Sequence, residues 1–274
     1  MAKVIIVGGG LFGSTIAHTL HRLTKHDVML IDKPRPGAPS LCAACLTKPS
    51  WLSGLHDYEI GLNQLKDTFS SQQYIQFKMY GKKLEPMFWV PRNTVLMRKG
   101  FKTVKSNVLS VSPGKVHIQI RGNEYYVAKA KYIIVAAGVW TKELLPDVEL
   151  KGLVGTALWF EGKIEQPQVK MWAPYKQVVA FNDCNKRIWV GDGSAILEKN
   201  WISAKHGKAT FDRARKVVKG HKLIKGLEGT RPFTKDKMGI LEFRPGNLIV
   251  STGGAKNGIA LAGIHAAKIL ETIK

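Results

Sequence analysis

The chain has 274 residues, and 42 Lys and Arg against 20 Asp and Glu give it a formal net charge of +22. Its hydrophobic content of 45% is ordinary for a globular protein with a sizeable core. No stretch reaches the roughly 20 apolar residues that a membrane-spanning helix needs. Three cysteines cannot form a closed set of disulfides, and the first residues do not follow a signal-peptide pattern. We therefore expect a cytoplasmic protein.

The excess of positive charge is compatible with several kinds of partner. It would attract anionic small molecules, nucleic acid or acidic protein surfaces. It would also act as a solubility device, which is the simpler interpretation because the basic residues are scattered along most of the chain. The densest basic run lies at residues 199–225. That run also has a helical pattern, so a solvated helix face is its simplest explanation.

The first part of the chain predicts a β-α-β unit. Residues 4–7 form a short apolar run, which indicates a strand buried on both faces. Residues 14–23 have apolar side chains at helical spacing, and residues 28–31 indicate a second buried strand. Two such strands around one helix, within about thirty residues, form the unit that holds a dinucleotide.

The following part of the chain is less regular. Residues 34–39 are rich in proline and indicate a loop, residues 41–46 are compatible with a helical turn, and residues 50–98 give few periodic signals. Beyond them, alternating apolar residues predict an antiparallel hairpin with its turn at Pro113 and Gly114, followed by further strands. The predicted strands cover residues 104–111, 116–120, 125–127 and 132–135.

The second half of the chain predicts an antiparallel sheet and then a return to α/β structure. The predicted antiparallel strands are residues 156–160, 169–172, 178–181 and 188–190. The basic helix follows, and the chain closes with a strand at residues 248–251 and a helix at residues 257–273. This order predicts the α/β class, with a Rossmann-like domain and an interleaved antiparallel sheet.

The sequence GGGLFG at residues 8–13 fits the dinucleotide fingerprint G-x-G-x-x-G. Gly8 allows the tight turn from strand to helix, Gly10 lets a pyrophosphate approach the backbone, and Gly13 allows close packing of the helix on the strand. Asp32 follows Gly13 by 19 residues, where a carboxylate accepts hydrogen bonds from ribose hydroxyls. Because a carboxylate disfavours a 2′-phosphate, we expect FAD or NAD rather than NADP; a purely structural glycine turn is the alternative.

Three later segments, together with this fingerprint, resemble the D-amino-acid oxidase/glycine oxidase family of flavoproteins. YIIVAAGVWTKELLP at residues 132–146 is similar to the second nucleotide-contacting strand of the family. GTRPFTKDKMGIL at residues 229–241 is similar to its G-x-R-P-x-T-x-D segment, and NLIVSTGGAKNGIALA at residues 247–262 to its C-terminal flavin-binding strand, turn and helix. The resemblance implies an FAD-dependent oxidoreductase with FAD as its cofactor.

The resemblance also implies a division into domains. The FAD-binding domain would be discontinuous and would comprise residues 1–50, 99–150 and 229–274. Residues 51–98 and 151–228 would form the substrate or cap domain. The chain is shorter than the usual members of the family, and the shortfall lies in that second domain. The resemblance therefore predicts the fold and the flavin cofactor of this chain better than it predicts the substrate.

The resemblance assigns cofactor-binding residues position by position. Gly8, Gly10 and Gly13 would hold the pyrophosphate, and Asp32 the adenosine ribose, with Lys33 beside it also at the cofactor. The remaining positions are Ala43 and Ala44 beside the flavin, Val108 at the adenine, Ala137 and Gly138 near the ribose or pyrophosphate, and Gly253, Gly254, Lys256, Asn257, Gly258 and Ile259 along the isoalloxazine. Backbone N–H groups at the start of the last helix would stabilise negative charge on the flavin.

Two charged residues are predicted to be catalytic. In the family the arginine of G-x-R-P binds the substrate carboxylate, which implies this role for Arg231. Its planar guanidinium matches a carboxylate with two charge-assisted hydrogen bonds. An internal ion pair, for example with Asp236, is the alternative. Lys256 stands where some relatives carry an arginine near the flavin; it would contact substrate or stabilise the flavin anion, unless it is a surface lysine.

The spacing of the cysteines and histidines raises the question of a redox pair or a metal site. Cys42 and Cys45 have the spacing of a redox pair and lie where flavin is expected. The simpler interpretation is that they are small buried residues in the alanine/glycine segment of the family. His18, His21 and His26 are spaced for helix and loop surfaces rather than as ligands, so no metal site is predicted.

Three functions are compatible with these patterns. The favoured one is oxidation of a C–N bond of a small amine or amino acid, by hydride transfer to flavin, with a small carboxylate or amine as the substrate. A flavoprotein acting on RNA is the second, because domains of this fold occur in tRNA-wobble-uridine modification and the charge of +22 suits phosphates, although no RNA-binding motif is visible. A non-catalytic flavin-binding protein is the third.

Overall fold

A computed structural model of the chain describes residues 2–33, 35–48, 57–81, 83–120, 124–173, 176–191, 196–197 and 204–273. The helices are α1 Leu11–Leu23, α2 Tyr58–Thr68, α3 Arg92–Leu96, α4 Thr141–Leu144, α5 Ala204–Val217 and α6 Gly258–Ile273. The strands are β1 Lys3–Val7, β2 Asp27–Ile31, β3 Leu46–Thr47, β4 Gln73–Met79, β5 Lys83–Trp89, β6 Lys102–Val104, β7 Val108–Ser112, β8 Lys115–Gln119, β9 Tyr125–Lys129, β10 Tyr132–Val135, β11 Lys151–Phe160, β12 Gln168–Ala173, β13 Lys176–Asn182, β14 Ile188–Gly191, β15 Ile196–Leu197, β16 Leu223–Phe233, β17 Ile240–Arg244 and β18 Leu248–Thr252.

The α/β part is built on a six-stranded sheet in the order β17-β18-β10-β1-β2-β6. Its strands from β18 to β6 are parallel, and β17 adds an antiparallel edge. Alternate residues of β1 serve opposite faces: Val4 and Ile6 pack with α1 and α6, whereas Ile5 and Val7 pack with the three-stranded sheet β7-β8-β9. Both faces are therefore buried, which explains the continuous apolar run in β1.

The second sheet has nine strands in the order β15-β11-β14-β13-β12-β4-β5-β3, with β16 also paired to β11. Its pairings are antiparallel except for that between β12 and β4. One face packs on α5, where Val178 and Val190 share a cluster with Ala214. The other face packs in a second cluster that contains Trp189 and Cys42. The predicted α/β class with a Rossmann-like part and an antiparallel sheet is confirmed.

Two predictions for the first half of the chain are wrong in detail. Residues 41–46 do not form a helical turn, because a 3-10 helix at Pro39–Leu41 is followed by β3, which pairs with β5. Residues 104–111 are not one strand, because β6 joins the parallel sheet beside β2 whereas β7 pairs with β8. Alternation in sequence indicates a strand but does not reveal which neighbour it will pair with.

The basic helix also ends earlier than predicted. The start of the predicted segment at residue 199 lies outside the described residues, and α5 ends at Val217. Gly220 has a φ of 79°, a left-handed conformation in which glycine suffers no steric penalty. The chain then enters β16, whose Lys225 is paired with Trp159 of β11. Strand pairing with β11 therefore determines the structure around Lys225, although the spacing of the residues there predicts a helix.

The sheets cross the predicted domain boundaries in two places. β3 precedes residue 50 but pairs with β5 of the antiparallel sheet. β16 runs continuously through residues 228 and 229 along β11. The region 50–98, for which few elements were predicted, contains α2, the hairpin β4-β5 and α3 in its described part. The division into two domains stays a prediction.

Candidate active site

A cavity of about 800 Å³ lies between the carboxyl ends of the parallel strands and one face of the antiparallel sheet. Val7, Ile31 and Ala136 line it from the first sheet, and Val179 and Trp189 from the second. The position follows the rule that open parallel sheets bind ligands beyond their carboxyl ends. Its volume lies within the usual range of roughly 300–1,000 Å³ for small-molecule and cofactor sites.

The glycine-rich loop between β1 and α1 forms one end of this cavity. Gly8 has a φ of 101°, and a Cβ there would lie 2.5 Å from the Ala136 carbonyl oxygen. A Cβ on Gly13 would lie 1.8 Å from the Gly8 carbonyl oxygen. Gly10 lines the cavity at the start of α1, and Ser40 Oγ accepts the Leu11 N–H at 2.8 Å. Gly8 and Gly13 thus permit close backbone packing, and the start of α1 faces the cavity.

The carboxylate at the end of β2 is fixed by two neighbours. Asp32 Oδ1 accepts the Gly9 N–H at 2.8 Å, and Asp32 Oδ2 accepts a hydrogen bond from Arg98 Nη2 at 2.5 Å. A Cβ on Gly9 would lie 2.4 Å from Arg98 Nη2. All three residues line the cavity. These two contacts fix the orientation of the Asp32 carboxylate beside the glycine loop.

The sequence analysis did not identify Arg98 as a site residue, although the glycine at position 9 indicates that a neighbouring group lies close to the loop. The fingerprint requires glycine at its first, third and sixth positions only, so the glycine at its second position, Gly9, had no explanation. The structure explains it, because the guanidinium of Arg98 occupies the space that a side chain at position 9 would need. An unexplained glycine in such a loop indicates a close neighbour but does not identify it.

The opposite end of the cavity is formed by the loop before α6. The Ala255 N–H donates to the Pro232 carbonyl oxygen at 2.9 Å, and Phe233 and Gly254 form an isolated antiparallel bridge. These contacts fasten the loop to the end of β16. Ala255 has a φ of 41°, a left-handed conformation that is uncommon for a residue with a Cβ. Strained residues of this kind concentrate at functional sites.

The structure brings nearly all of the predicted site residues together. The predicted residues that line the cavity are Gly8, Gly10, Asp32, Lys33, Ala43, Ala44, Val108, Ala137, Gly138, Arg231, Gly254, Lys256, Asn257, Gly258 and Ile259. Gly13 and Gly253 are not lining residues but support the wall from behind. A Cβ on Gly253 would lie 2.9 Å from the Gly239 Cα, and Gly253 has a φ of 86°. Asp236 accepts the Met238 N–H at 3.0 Å within its own turn.

The two cysteines in the cavity wall have neutral thiols. Burial raises the pKa of Cys42 to about 11 and that of Cys45 to about 12. Both are free cysteines. Reactive cysteines need a thiolate near neutral pH, which a low pKa provides. Cys45 has a φ of 52°, so it occupies a conformation that favours glycine. These observations support the interpretation as small buried residues rather than a redox pair.

The described ranges contain no cluster of three or more His, Cys, Asp or Glu side chains suited to a metal ion. None of the helices in those ranges has the length and apolar content that a membrane crossing requires.

The chemistry of the cavity fits FAD at both of its ends. The starts of two helices, α1 and α6, face it through Leu11 and Ile259 among others. Helix N-termini present free N–H groups and a positive dipole end, which suit a pyrophosphate and an electron-rich flavin ring. Asp32 supplies an acceptor for ribose hydroxyls at one end. Small residues, Ala43 and Ala44, leave space for a flat ring at the other.

Comparisons with known families agree with this geometry. Residues 95–271 match the family described as FAD dependent oxidoreductase, and residues 6–73 match the NAD(P)-binding Rossmann-like domain. The first match covers well over half of the chain. A search of curated protein sequences found no match.

Solved structures share the fold at low identity. Iminodiacetate oxidase from Chelativorans sp. BNC1 is 16% identical with a TM-score of 0.67, over 98% of this chain and 95% of that one. Glycine oxidase from Geobacillus kaustophilus is 15% identical with a TM-score of 0.68, over 99% and 94%. L-amino acid deaminase from Proteus vulgaris is 13% identical with a TM-score of 0.70, over 100% and 91%. The chain therefore belongs to the FAD-dependent oxidoreductase family of D-amino-acid oxidase and glycine oxidase, and FAD is its cofactor.

Proposed function

We propose that this enzyme oxidises a C–N bond of a small amine or amino acid that carries a carboxylate. The observation that carries the proposal is the position of Arg231, which lines the cavity at the end formed by the loop before α6. A guanidinium binds a carboxylate through two parallel hydrogen bonds and so fixes both position and orientation. Three structural neighbours are named as an iminodiacetate oxidase, a glycine oxidase and an L-amino acid deaminase, and these names support the same class of substrate.

We further propose that FAD lies along the cavity with its adenosine end at Asp32. The start of α1 would hold the pyrophosphate, and Arg98 would fix the Asp32 carboxylate for the ribose. Val108, Ala137 and Gly138 would contact the adenosine side through the backbone. The isoalloxazine would lie between Ala43 and Ala44 and the residues of the loop before α6. The proposed FAD-binding and substrate domains keep the predicted boundaries.

Arg231 and the start of α6 would carry out separate tasks in the reaction. When bound, FAD supplies the two-electron acceptor: the substrate carbon next to nitrogen loses a hydride, the nitrogen loses a proton, and water hydrolyses the resulting imine to a carbonyl compound and an amine. Arg231 would hold the carboxylate so that the reacting C–H bond faces the ring. The positive end of the α6 dipole, with the Gly258 N–H at the start of the helix, would favour the negative charge that develops there.

The position of α5 gives no support to RNA as a substrate. Ala214 and Val217 of α5 pack on the face of the antiparallel sheet that contains Leu158 and Val178. The cavity lies on the opposite face, with Val179 in its lining. The basic residues of α5 are therefore separated from the cavity by the sheet, and the solvated-face interpretation of this helix is the better supported one.

A substrate screen with an arginine variant tests the proposal. The purified holoenzyme is mixed under nitrogen with a panel of amines and amino acids, and loss of the oxidised flavin spectrum is recorded. Arg231→Leu should keep the flavin spectrum but lower kcat/KM for carboxylate substrates by about 100-fold, the value of a lost charge-assisted hydrogen-bond pair. Arg22→Leu, which alters an exposed arginine of α1, is the control. Unchanged kcat/KM in Arg231→Leu would remove Arg231 from the site.

A further inference from the structure

Two tryptophans of the antiparallel sheet hold the chain segment that contains Ala43 and Ala44. Trp189 of β14 donates its Nε1–H to the Cys42 carbonyl oxygen at 3.1 Å, and Trp89 of β5 donates its Nε1–H to the Ala44 carbonyl oxygen at 3.0 Å. Trp89 is 6% exposed and Trp189 is 8% exposed. A buried indole N–H usually finds a hydrogen-bond partner, and here the partners are alternate carbonyl groups of one short segment.

Packing within the sheet fixes the positions of the two indoles. Phe181 of β13 contacts both rings, with centroid distances of 5.7 Å to Trp89 and 5.4 Å to Trp189. The Trp189 ring also lies against the backbone of Gly191, where a Cβ would collide with it. A side chain at position 191 would therefore displace this ring. The sheet thus determines where the two N–H donors lie.

The direction of the two carbonyl groups also sets the direction of two backbone N–H groups. The Cys42 carbonyl belongs to the same peptide unit as the Ala43 N–H, and the Ala44 carbonyl belongs to the same unit as the Cys45 N–H. None of the described peptide bonds is cis, and in a planar trans unit the N–H points opposite to the C=O. The N–H groups of Ala43 and Cys45 therefore point away from the indoles.

These two N–H groups have no acceptor in the part of the chain that the structure describes. Neither the Ala43 N–H nor the Cys45 N–H donates a hydrogen bond there. Cys45 is 4% exposed, and a buried N–H without an acceptor is as unfavourable as a lost hydrogen bond. Both residues line the cavity. Unpaired donors in a cavity wall indicate a ligand that accepts hydrogen bonds.

We propose that Trp89 and Trp189 are positioning residues, which direct the N–H groups of Ala43 and Cys45 towards an electron-rich edge of the flavin ring. This inference rests on the proposed position of the ring beside Ala43 and Ala44. A hydrogen bond to the carbonyl of a peptide unit also polarises the unit and strengthens its N–H as a donor. Because reduction increases the negative charge of the ring, the two donors favour reduced FAD over oxidised FAD. Trp89 is not a lining residue of the cavity, so it acts through the backbone.

Trp89→Phe and Trp189→Phe test this role, because each removes the N–H donor and keeps a buried aromatic ring. The reduction potential of the flavin is measured in each holoenzyme with a chemical reductant and a reference dye. We expect each variant to lose about 3- to 10-fold of the preference for reduced FAD, the value of one hydrogen bond. For a two-electron couple this is a potential lower by about 15–30 mV.

The matched control is Trp159→Phe. Trp159 is buried in the same cluster, but its Nε1–H donates to Asp183 at 3.1 Å and not to the segment beside the flavin. Potentials of Trp89→Phe and Trp189→Phe that equal the potential of this control would overturn the inference, even if the variants unfold more easily. If a variant fails to fold, benzothienylalanine at the same position keeps the shape of the indole and lacks its N–H, and the same loss of preference is expected.

Isotope labelling of cysteine reports on one donor directly, because the chain has three cysteines. The Cys42 N–H donates to the Pro39 carbonyl oxygen at 3.0 Å, and Cys184 is exposed, so both serve as internal references for Cys45. We expect FAD to slow hydrogen exchange of the Cys45 amide by at least about tenfold, and Trp89→Phe to lose most of this protection. A Cys45 amide that does not respond in a protein that binds FAD, or protection that persists in Trp89→Phe, would overturn the inference. Neither measurement uses a substrate, so both results are independent of whether an amine is oxidised.

Discussion

Gly9 and Arg98 are 89 residues apart in the chain, yet the position of the Arg98 side chain explains why residue 9 is a glycine. The guanidinium lies against the backbone of the glycine loop and contacts Asp32. A buried carboxylate is costly unless a cation or several hydrogen-bond donors accompany it. Arg98 and the Gly9 N–H together satisfy Asp32, so its orientation is settled before any ligand arrives. Such preorganisation lowers the cost of binding.

We predict that Arg98→Leu weakens FAD binding by about 10- to 100-fold, because Asp32 would lose its charged partner and its fixed orientation. Arg98→Lys should lie in between, since lysine keeps the charge but not the planar group. Titration of the apoprotein with FAD, followed by flavin fluorescence, measures the change, with Arg22→Leu as control. If Arg98→Leu lowers the melting temperature but leaves the FAD affinity intact, the contact is structural only.

His265 makes stability depend on pH. Its ring is buried in α6, with Nδ1 2.9 Å from Ser251 Oγ. Burial, and to a lesser extent Lys268, lowers its pKa from 6.5 to about 3. Between these values the unfolded chain binds a proton at His265 and the folded chain does not. The contribution to stability is therefore complete above pH 6.5 and is lost as the pH falls towards 3.

The expected loss is at most about 1.4 kcal/mol of unfolding free energy per pH unit in that window. His265→Asn cannot take up the proton, so its unfolding free energy should fall less steeply between neutral and acidic pH than that of the wild type. Urea unfolding at several pH values measures both slopes. His21→Asn, at an exposed position of α1, is the control. Parallel slopes for His265→Asn and wild type would show that other groups set the acid sensitivity.

Among the secondary-structure elements, α2 and α6 pack unusually closely. A Cβ on Gly61 of α2 would lie 2.5 Å from the Ala260 carbonyl oxygen, and a Cβ on Gly263 of α6 would lie 2.2 Å from the Gly61 carbonyl oxygen. In each case the neighbour is backbone and cannot rotate away. The two glycines let the helix axes approach, and α6 begins at the cavity. Helix packing and site geometry are therefore linked through α6.

Gly61→Ala and Gly263→Ala test this contact. An alanine in a helix is normally favoured over glycine by up to about 1 kcal/mol. Here the added methyl group must push two backbones apart, and overpacking of this kind costs about 1–3 kcal/mol. We expect both variants to lower the unfolding free energy, in contrast to Glu271→Ala at an exposed site of α6. Higher stability in either glycine variant would show that the helices tolerate a wider separation.

The cavity lies between the two sheets, and a further cluster that contains Phe88 of β5 and Ile259 of α6 joins the antiparallel sheet to the helices of the parallel sheet. The parallel sheet has its own clusters on both faces, and so does the antiparallel sheet. A ligand that contacts Asp32 on one side and Trp189 on the other bridges the two. FAD should therefore stabilise the molecule as a unit, because it binds the folded state and not the unfolded chain.

Removal of FAD tests this expectation. A ligand at 100 times its Kd contributes about 2.7 kcal/mol, which corresponds to a melting temperature roughly 5–10 °C higher for a chain of this size. The apoprotein should melt lower by that amount and recover when FAD is added back. FMN lacks the adenosine part that Asp32 and Arg98 are proposed to hold, so it should restore less. Equal melting temperatures for apoprotein and holoenzyme would contradict a bridging cofactor.

Local sequence was sufficient for the elements that are defined by their own residues. The strand Lys3–Val7, the helix Leu11–Leu23 and the strand Asp27–Ile31 were predicted because apolar runs and helical spacing act within a few residues. The same holds for the turn at Pro113 and Gly114. The glycine fingerprint and the later segments similarly identified the family, since loops that cradle a phosphate need particular residues at fixed spacing.

Other features were decided only by contacts between distant residues. Sequence did not reveal that Lys102–Val104 joins the parallel sheet, or that Lys225 leaves the basic helix pattern for a strand beside Trp159. It did not connect Gly9 with Arg98, or Lys256 with the end of β16 at Arg231. Strand pairing, close backbone approach and the joining of charges at one cavity depend on which surfaces meet in space. A local sequence pattern does not specify which distant residues will be neighbours, so these contacts could be identified only in the tertiary structure.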